Sequence, residues 1–456
     1  MDDTIAAIAT PPGEGGIGII RISGEESKEI LGRIFRSASG CEIESRRMTY
    51  GHIVEPESGS IIDEVLAVYM KGPKTYTVED VVEINCHGGM VPLRKTLELI
   101  LSCGARMAEP GEFTKRAFLN GRLDLSQAEA VIDVIKARTD KSFDVAMQQL
   151  DGRFSEKIKT IREKFVDLLV NITVNIDYPD EDIEELTYDQ LIEDLSRISG
   201  EIEELLKSAE TGRIMQEGLA ISIIGKPNVG KSSLMNTLLG ESRAIVTEIA
   251  GTTRDIIEEH LSIRGIPIKL TDTAGIRKTS DIIEKIGIEK SKESFNQADL
   301  VIFILDLSRA LDQEDIEIMA LLNPEKSIVI FNKNDLSRNL DESAVRKLLP
   351  GAVIIEASME TGEGIREIED QIESMVYGGK VSQKESVMVT NVRHKDILLK
   401  ATASLRDARE MAERKEALEL IEIDVNTAYQ SLGEIIGETV QDDIIDEVFA
   451  RFCLGK

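Results

Sequence analysis

Gly225-Lys-Pro-Asn-Val-Gly230-Lys231-Ser232 follows directly on the apolar run Leu219-Ala-Ile-Ser-Ile-Ile224. It leads into Ser233 to Leu239, where Leu234, Leu238 and Leu239 recur at helical spacing. Strand, glycine turn and helix, in that order, form the setting that the phosphate-loop pattern G-x-x-x-x-G-K-[ST] requires. The chemistry accounts for the residue types. Backbone N–H groups must close around phosphate oxygens, and glycines permit that approach. The helix that follows points its positive end at the same charge. Asn228, Val229, Gly230, Lys231, Ser232 and Ser233 are therefore candidate nucleotide contacts, with Lys231 between the β- and γ-phosphates and the Ser232 hydroxyl on Mg²⁺.

Four further signals lie downstream where a guanine nucleotide site needs them. Asp272-Thr273-Ala274-Gly275 ends an apolar run, so its carboxylate can reach Mg²⁺ through water and the Gly275 N–H a γ-phosphate. Asn332-Lys333-Asn334-Asp335 follows Ser327 to Phe331, and a carboxylate at Asp335 accepts from both the N1–H and the 2-amino group of guanine. Adenine lacks that donor pair. Ser358-Met359-Glu360, with Thr361-Gly-Glu-Gly364, fits a loop backing the base. Gly251-Thr252-Thr253 occupies the interval where a switch loop supplies a threonine for Mg²⁺. Taken together these segments predict a GTPase. Ile276 stands where many signalling GTPases place a water-orienting glutamine, so the attacking water needs another partner. Read alone, Glu284 is one solvated acid among many, and neither Arg254 nor Arg277 can be assigned as an arginine finger.

At 456 residues the chain exceeds one hydrophobic core, and two or three domains are expected. Its net charge of −29 repels phosphate backbones, which argues against general nucleic-acid affinity of the chain by itself. No apolar run is long enough for a bilayer, so no membrane contact is expected. Cys41, Cys86, Cys103 and Cys453 form no paired spacing, which favours a reducing cytoplasm over a zinc or disulfide scaffold.

The periodicities divide the chain into four segments. Residues 1–118 read as α/β, with strands at 4–9, 17–22, 62–69 and 81–85 and a helix over 92–101. His87, beside Gly88-Gly89, reads as a satisfied turn histidine. Residues 119–213 read as helical. Leu125, Ala128, Val131, Ile132 and Ile135 share a face there, capped by Asp124 or by Ser126 with Glu129 as its capping-box partner. Residues 214–378 alternate strands (219–224, 256–263, 267–271, 300–305, 327–331, 352–355) with helices. They predict a doubly wound, Ras-like sheet with one antiparallel edge turned at Arg264-Gly265. Residues 379–456 are helical again and are expected to pack on the helices of 119–213, leaving the nucleotide segment as an insertion.

The whole chain resembles the tRNA-modifying GTPase family MnmE, also called TrmE. The resemblance rests on Ala9-Thr-Pro-Pro-Gly13, Gly18-Ile-Ile-Arg-Ile-Ser-Gly24, Cys86-His-Gly-Gly89 and Pro110-Gly-Glu-Phe-Thr-Lys-Arg-Ala-Phe-Leu-Asn120. Ala250-Gly-Thr-Thr-Arg-Asp255 and the closing Phe452-Cys-Leu-Gly-Lys456 complete it. It implies a tetrahydrofolate-binding-like N-terminal domain that forms a homodimer, a helical domain built from two chain segments, and an inserted GTPase domain. It also implies an FAD-using partner, MnmG (GidA). With that partner the family adds a carboxymethylaminomethyl or aminomethyl group to C5 of the wobble uridine of certain tRNAs, taking the carbon from a tetrahydrofolate.

By position, the resemblance makes Asn228, Thr247, Ile249 and Thr252 ligands of K⁺, and Ser232 and Thr253 ligands of Mg²⁺. Glu248, Ala250 and Gly251 join the nucleotide contacts, and Glu284 becomes the catalytic, water-orienting group. Arg21, Glu83, Arg122 and Lys456 become contacts of a reduced folate, the 5-formyl or methylene form. Cys453 becomes a candidate thiol beside it. The competing reading, an Era-like ribosome-assembly switch, predicts a basic RNA-binding module that the acidic flanks do not supply.

Overall fold

The computed structural model describes residues 3–178, 186–241, 259–272, 298–378 and 387–455. They fall into two compact units. One comprises Met1–Ile132, Gln149–Tyr188 and Glu410–Lys456, the other Asp133–Gln148 and Asp189–Arg409.

In the first unit, seven strands form one sheet: β1 (Ile5–Ile8), β2 (Gly15–Ser23), β3 (Phe35–Ser37), β4 (Thr49–Val54), β5 (Ile61–Met70), β6 (Val81–Gly88) and β7 (Arg106–Met107). Their order is β3-β4-β5-β6-β2-β1-β7. The β1–β7 pair is parallel and the rest are antiparallel. Side chains alternate between faces in a strand. The buried parity, Ile20, Ile22, Val65, Ala67, Val82 and Ile84, packs with Ile30, Leu31, Leu93, Leu97 and Ile100 of α1 (Ser27–Ile34) and α2 (Met90–Ser102). The four expected strands and the helix over 92–101 are present. β3, β4 and β7 are additional. His87 lies within β6 rather than in a turn, because the β2–β6 pairing runs on to Gly15↔Gly88.

The helix α3 (Glu112–Leu119) brings Arg116 into the interior. Its side chain is 1% exposed and meets Asp3 at 2.8 Å, Glu112 at 3.0 Å and Glu79 at 3.1 Å. Next, α4 (Leu125–Lys136) is capped reciprocally. Asp124 Oδ1 accepts from the Gln127 N–H, and Gln127 Oε1 accepts from the Asp124 N–H, each at 3.0 Å. Asp124 is thus the cap. Ser126 is not, since it lies inside the helix, fully buried, and accepts from Gln149 Nε2 at 3.3 Å. Three more helices are α5 (Asp140–Leu150), α6 (Arg153–Asp177) and, beyond Tyr178-Pro179, α7 (Tyr188–Lys207).

The second unit carries a six-stranded sheet of order β13-β12-β11-β8-β10-β9. Its strands are β8 (Leu219–Ile224), β9 (Glu259–Ile263), β10 (Ile266–Asp272), β11 (Leu300–Asp306), β12 (Ser327–Asn332) and β13 (Val353–Glu356). Every pair is parallel except the β9 edge, which returns antiparallel through Arg264 (φ 50°) and Gly265 (φ 82°), as the sequence predicts. The other strands match the expected bounds to within one residue, and residues 256–258 of the expected second strand lie outside the described residues. β11 is buried along its whole length, as a central parallel strand covered on both faces should be. Among the described residues between Ala209 and Tyr377 the unit's α-helices are α8 (Ala209–Glu217), α9 (Lys231–Glu241), α10 (Gln313–Met319), α11 (Glu342–Leu348) and α12 (Ile365–Tyr377).

Three helices close the chain: α13 (Val392–Glu413), α14 (Leu418–Ile436) and α15 (Asp442–Ala450). The stripe Ile397, Leu398, Ala401, Leu405, Ala408 and Ala412 is buried throughout. Within the first unit α14 packs along α6. Arg162 lies 4.4 Å from the Tyr429 ring centroid and ion-pairs with Glu438, and Thr173 Oγ1 donates to Glu422 at 2.7 Å. Helices from before and after the nucleotide segment therefore share one core.

Candidate functional site

The phosphate loop joins β8 to α9 and is shaped by backbone conformations that few residues adopt. Gly225 has φ 144° and Gly230 φ 112°, while Asn228 takes the left-handed region at φ 65°. A Cβ on Gly225 would lie 2.5 Å from the Ile304 carbonyl oxygen, and one on Gly230 would lie 2.1 Å from Asn332 Nδ2. Both glycines are therefore required by close approach as well as by φ. The loop is consequently a preformed cradle of the kind phosphate oxygens fit. The Lys231 ammonium donates to the carbonyls of Gly225 and Lys226, 2.6 Å each, and so is held at the mouth of the loop. Lys226 is itself anchored to Asp312 and, at 3.2 Å, Asp315. Ser232 and Ser233 open α9.

Asn332 ties three sequence segments together. Its Nδ2 donates to the Val229 carbonyl at 2.6 Å, and its Oδ1 accepts from the Met359 N–H at 3.1 Å. Asp335 Oδ1 accepts from the buried Ser358 hydroxyl at 2.6 Å, which fixes one oxygen of the carboxylate. The Asn334 N–H donates to the Ala357 carbonyl at 3.1 Å. Lys333, at φ 68°, ion-pairs with Asp306 at 2.6 Å. Burial pushes the Asp306 carboxyl up, but Lys333 and the Ser308 hydroxyl and N–H outweigh it and hold the acid below its ordinary range. Asp306 was not apparent in the sequence. Its only signal was a carboxylate closing the apolar run of β11.

Asp272 ends β10 in register with Ile223, beside the strand that feeds the loop. Of the other assigned residues, Glu360 sits in the turn after Met359. Thr247, Glu248, Ile249, Ala250, Gly251, Thr252, Thr253, Thr273, Ala274, Gly275, Glu284 and Lys456 lie outside the described residues, as do Arg254, Ile276 and Arg277.

A second cluster forms in the first unit. Arg21 and Glu83 face each other across β2 and β6, with Arg21 Nη2 2.8 Å from Glu83 Oε1. Arg122 lies over the ring of Tyr76, 4.7 Å from its centroid, and donates to the Tyr76 carbonyl at 2.9 Å. Cys453 is exposed, and its carbonyl accepts from the Gly111 N–H at 3.4 Å. Gly455 (φ 84°) rests on the start of the sheet, where a Cβ would lie 2.3 Å from the Ile8 carbonyl oxygen. Since Ala7 pairs with Arg21, the tail reaches the Arg21 neighbourhood. Burial pushes the Cys86 thiol up to about 12, so it is no thiolate. His87 projects into solvent with its Nδ1 2.6 Å from the buried Asp63 carboxylate, which raises its pKa.

The seat of Gly455 gives a direct expectation. Gly455→Ala should strain the left-handed turn and clash with Ile8, at a cost of about 1–3 kcal/mol. Hydrogen exchange followed by mass spectrometry should then show the Gly111 amide, bonded to the tail, exchanging about tenfold faster. Unchanged exchange would mean the tail is not held there.

The profile for the MnmE helical domain matches residues 125–453, and that for the GTP-binding protein TrmE N-terminus matches residues 4–122. The chain is 53% identical to a tRNA modification GTPase MnmE of Alkaliphilus oremlandii and 55% identical to one of Clostridioides difficile, each covering 100% of both chains. Among solved structures, the G domain of the T. maritima FeoB iron transporter is 29% identical, covering 34% of this chain and 98% of its own, with a TM-score of 0.26.

Proposed function

The chain belongs to the MnmE family of tRNA modification GTPases, and from that premise we propose that it hydrolyses GTP to drive addition of a one-carbon-derived aminomethyl group to C5 of the wobble uridine in certain tRNAs. The observation that carries the reading is the side chain of Asn332, which joins the phosphate loop to the Met359 loop, where the neighbouring Ser358 hydroxyl donates directly to Asp335. That arrangement suits a nucleotide whose phosphates lie at Gly230-Lys231-Ser232 and whose base is read by Asp335.

In this proposal Ser232 and Thr253 hold Mg²⁺, which neutralises charge on the phosphates. Asn228, Thr247, Ile249 and Thr252 hold K⁺, a fixed cation where an arginine finger would otherwise reach. Asn228 takes a left-handed backbone within the phosphate loop, at φ 65°. Glu284 orients the attacking water, which Ile276 is unable to do. Arg21, Glu83, Arg122 and Lys456 bind a reduced folate, with Cys453 as a neighbouring thiol. An N-terminal homodimer and an FAD-dependent partner of the MnmG (GidA) type complete a cytoplasmic complex. The partner supplies most of the tRNA contact, as the acidic surface of this chain suggests. The domains are proposed at 1–118, 119–213 with 379–456, and 214–378.

Two measurements test the reading. Reconstitution with the FAD-loaded partner, NADH, tRNA, GTP, methylenetetrahydrofolate and an amine donor (ammonium or glycine) should yield the modified uridine by nucleoside mass spectrometry, and its absence with either amine rejects the tRNA assignment. GTP turnover should rise about tenfold or more when K⁺ replaces Na⁺, because loss of a fixed cation at developing charge costs on that order. Equal rates in the two salts would remove the potassium site.

A further inference from the structure

The loop between β5 and β6 holds Tyr76 half-buried, with its hydroxyl 2.9 Å from Thr114 Oγ1. Two guanidinium groups approach this one ring. Arg122 stands 4.7 Å from its centroid, and Arg21 stands 5.7 Å from it and 5.7 Å from that of Phe113. The two cations are not equivalent. Arg21 is matched by Glu83 through Nε at 2.9 Å and Nη2 at 2.8 Å. Arg122 is exposed and forms no ion pair among the described residues, in a chain with 83 acids against 54 Lys and Arg. Its contacts are the Tyr76 ring and the Tyr76 carbonyl, and they leave most of its five N–H donors open.

The loop that carries Tyr76 is held in a costly shape. Val78, a β-branched residue, sits at φ 70°. Thr75 Oγ1 donates to the Glu79 carbonyl at 2.6 Å, Asn120 Nδ2 to the Thr77 carbonyl at 2.7 Å, and Ser23 Oγ lies 2.6 Å from Thr77 Oγ1. Strain of this kind persists where the surroundings over-determine it, and it concentrates at binding sites.

We infer that Tyr76 is a positioning residue whose ring aims Arg122 at a carboxylate on the tail of the bound one-carbon carrier. The inference rests on the proposed reduced-folate reading of this cluster. The charge-matched Arg21–Glu83 pair is left to the neutral, hydrogen-bonding part of the ligand. Arg122 supplies the charge-assisted contact that distinguishes a carrier with an acidic tail from one without it.

The test compares binding of 5-formyltetrahydrofolate with that of the matching 5-formyltetrahydropteroyl amide, in which an uncharged carboxamide replaces the glutamate and its carboxylates, by calorimetry on the full-length protein. The wild-type chain should prefer the glutamate form by about tenfold or more, the range expected of a hydrogen bond to a charged group. Tyr76→Leu and Arg122→Met should each bring that ratio close to unity. Tyr76→Phe keeps the ring and should keep the ratio. Thermal melts by circular dichroism report whether each variant is folded, and Arg122→Met carries the test if Tyr76→Leu is not. An undiminished ratio in folded Tyr76→Leu overturns the role of Tyr76. A wild-type chain that binds both compounds equally overturns the carboxylate assignment while leaving the folate reading in place. Binding of neither compound rejects both.

Discussion

Asp335→Asn is expected to lower GTP affinity by about a thousandfold and to convert the protein to xanthosine triphosphate. A carboxylate accepts from the N1–H and the 2-amino group of guanine together, and each hydrogen bond to a charged group contributes about 1.5–3 kcal/mol. An asparagine keeps one acceptor but turns an N–H donor toward the 2-amino donor. Xanthine has a carbonyl at that position, so the same asparagine becomes complementary. A site built around buried hydrogen-bonding groups rejects an analogue that leaves them unpaired far more strongly than an apolar pocket rejects a missing methylene. The Ser358 hydroxyl, 2.6 Å from Asp335 Oδ1, fixes one oxygen of that carboxylate. Binding of labelled GTP and of xanthosine triphosphate to the variant measures the switch. Retained GTP affinity would show that the base is read elsewhere.

Arg116→Met is expected to lower the unfolding free energy of the first unit by about 3–5 kcal/mol, the range for removing one partner of a buried ionic cluster. The guanidinium is nearly inaccessible, and three carboxylates converge on it. Methionine fills similar volume, so the loss reports the stranded acids rather than a cavity. Two of those acids give the pH dependence its sign. Burial pushes Glu112 up, but Arg106, the Glu109 N–H and Arg116 outweigh it, and Asp3 is lowered chiefly by Arg106. A carboxyl whose folded pKa is depressed contributes stability that is present above its unfolded value, near 4, and lost as pH falls through the folded value. The wild-type chain should therefore lose stability in the acid range below about pH 4. The variant should lose somewhat less there, because Arg106 still pairs with Asp3 and Glu112 at 2.7 Å each and only the share of the depression due to Arg116 is gone. Denaturant titrations at neutral pH and in that range measure both effects. Equal stability of the two proteins at neutral pH would show that the cluster is not needed for folding.

The nucleotide sheet was legible because its strands are apolar runs of strand length and its turns carry glycine, as at Arg264-Gly265. β4 was not, because Gly51 interrupts its pattern. The structure shows why glycine stands there, since a Cβ would lie 2.2 Å from the Arg36 carbonyl oxygen and 2.6 Å from the Phe35 ring. Such crowding comes from a neighbouring strand and leaves no local trace. The same division holds at the sites. Lys231, Asn332 and Asp335 could be read singly, because each residue type answers a local chemical need. The Asn332 bridge, the Lys333–Asp306 pair and the Tyr76–Arg122 stack are long-range contacts, and one sequence does not display them. The cap of α4 shows the limit on a smaller scale. Asp124 and Ser126 were equally plausible from spacing, and the burial of Ser126 decided between them.

The seat of Gly455 against Ile8 has a consequence for biogenesis. The contact closes a loop that spans almost the whole sequence, and ordering so distant a pair is among the slowest steps of a folding pathway. Ile8 leaves the ribosome early and must wait for Gly455 to be synthesised. The sheet of the first unit can assemble in a nascent chain, but this flank of the Arg21–Glu83 neighbourhood cannot, so its contact with Gly455 forms only after residue 455 has been made.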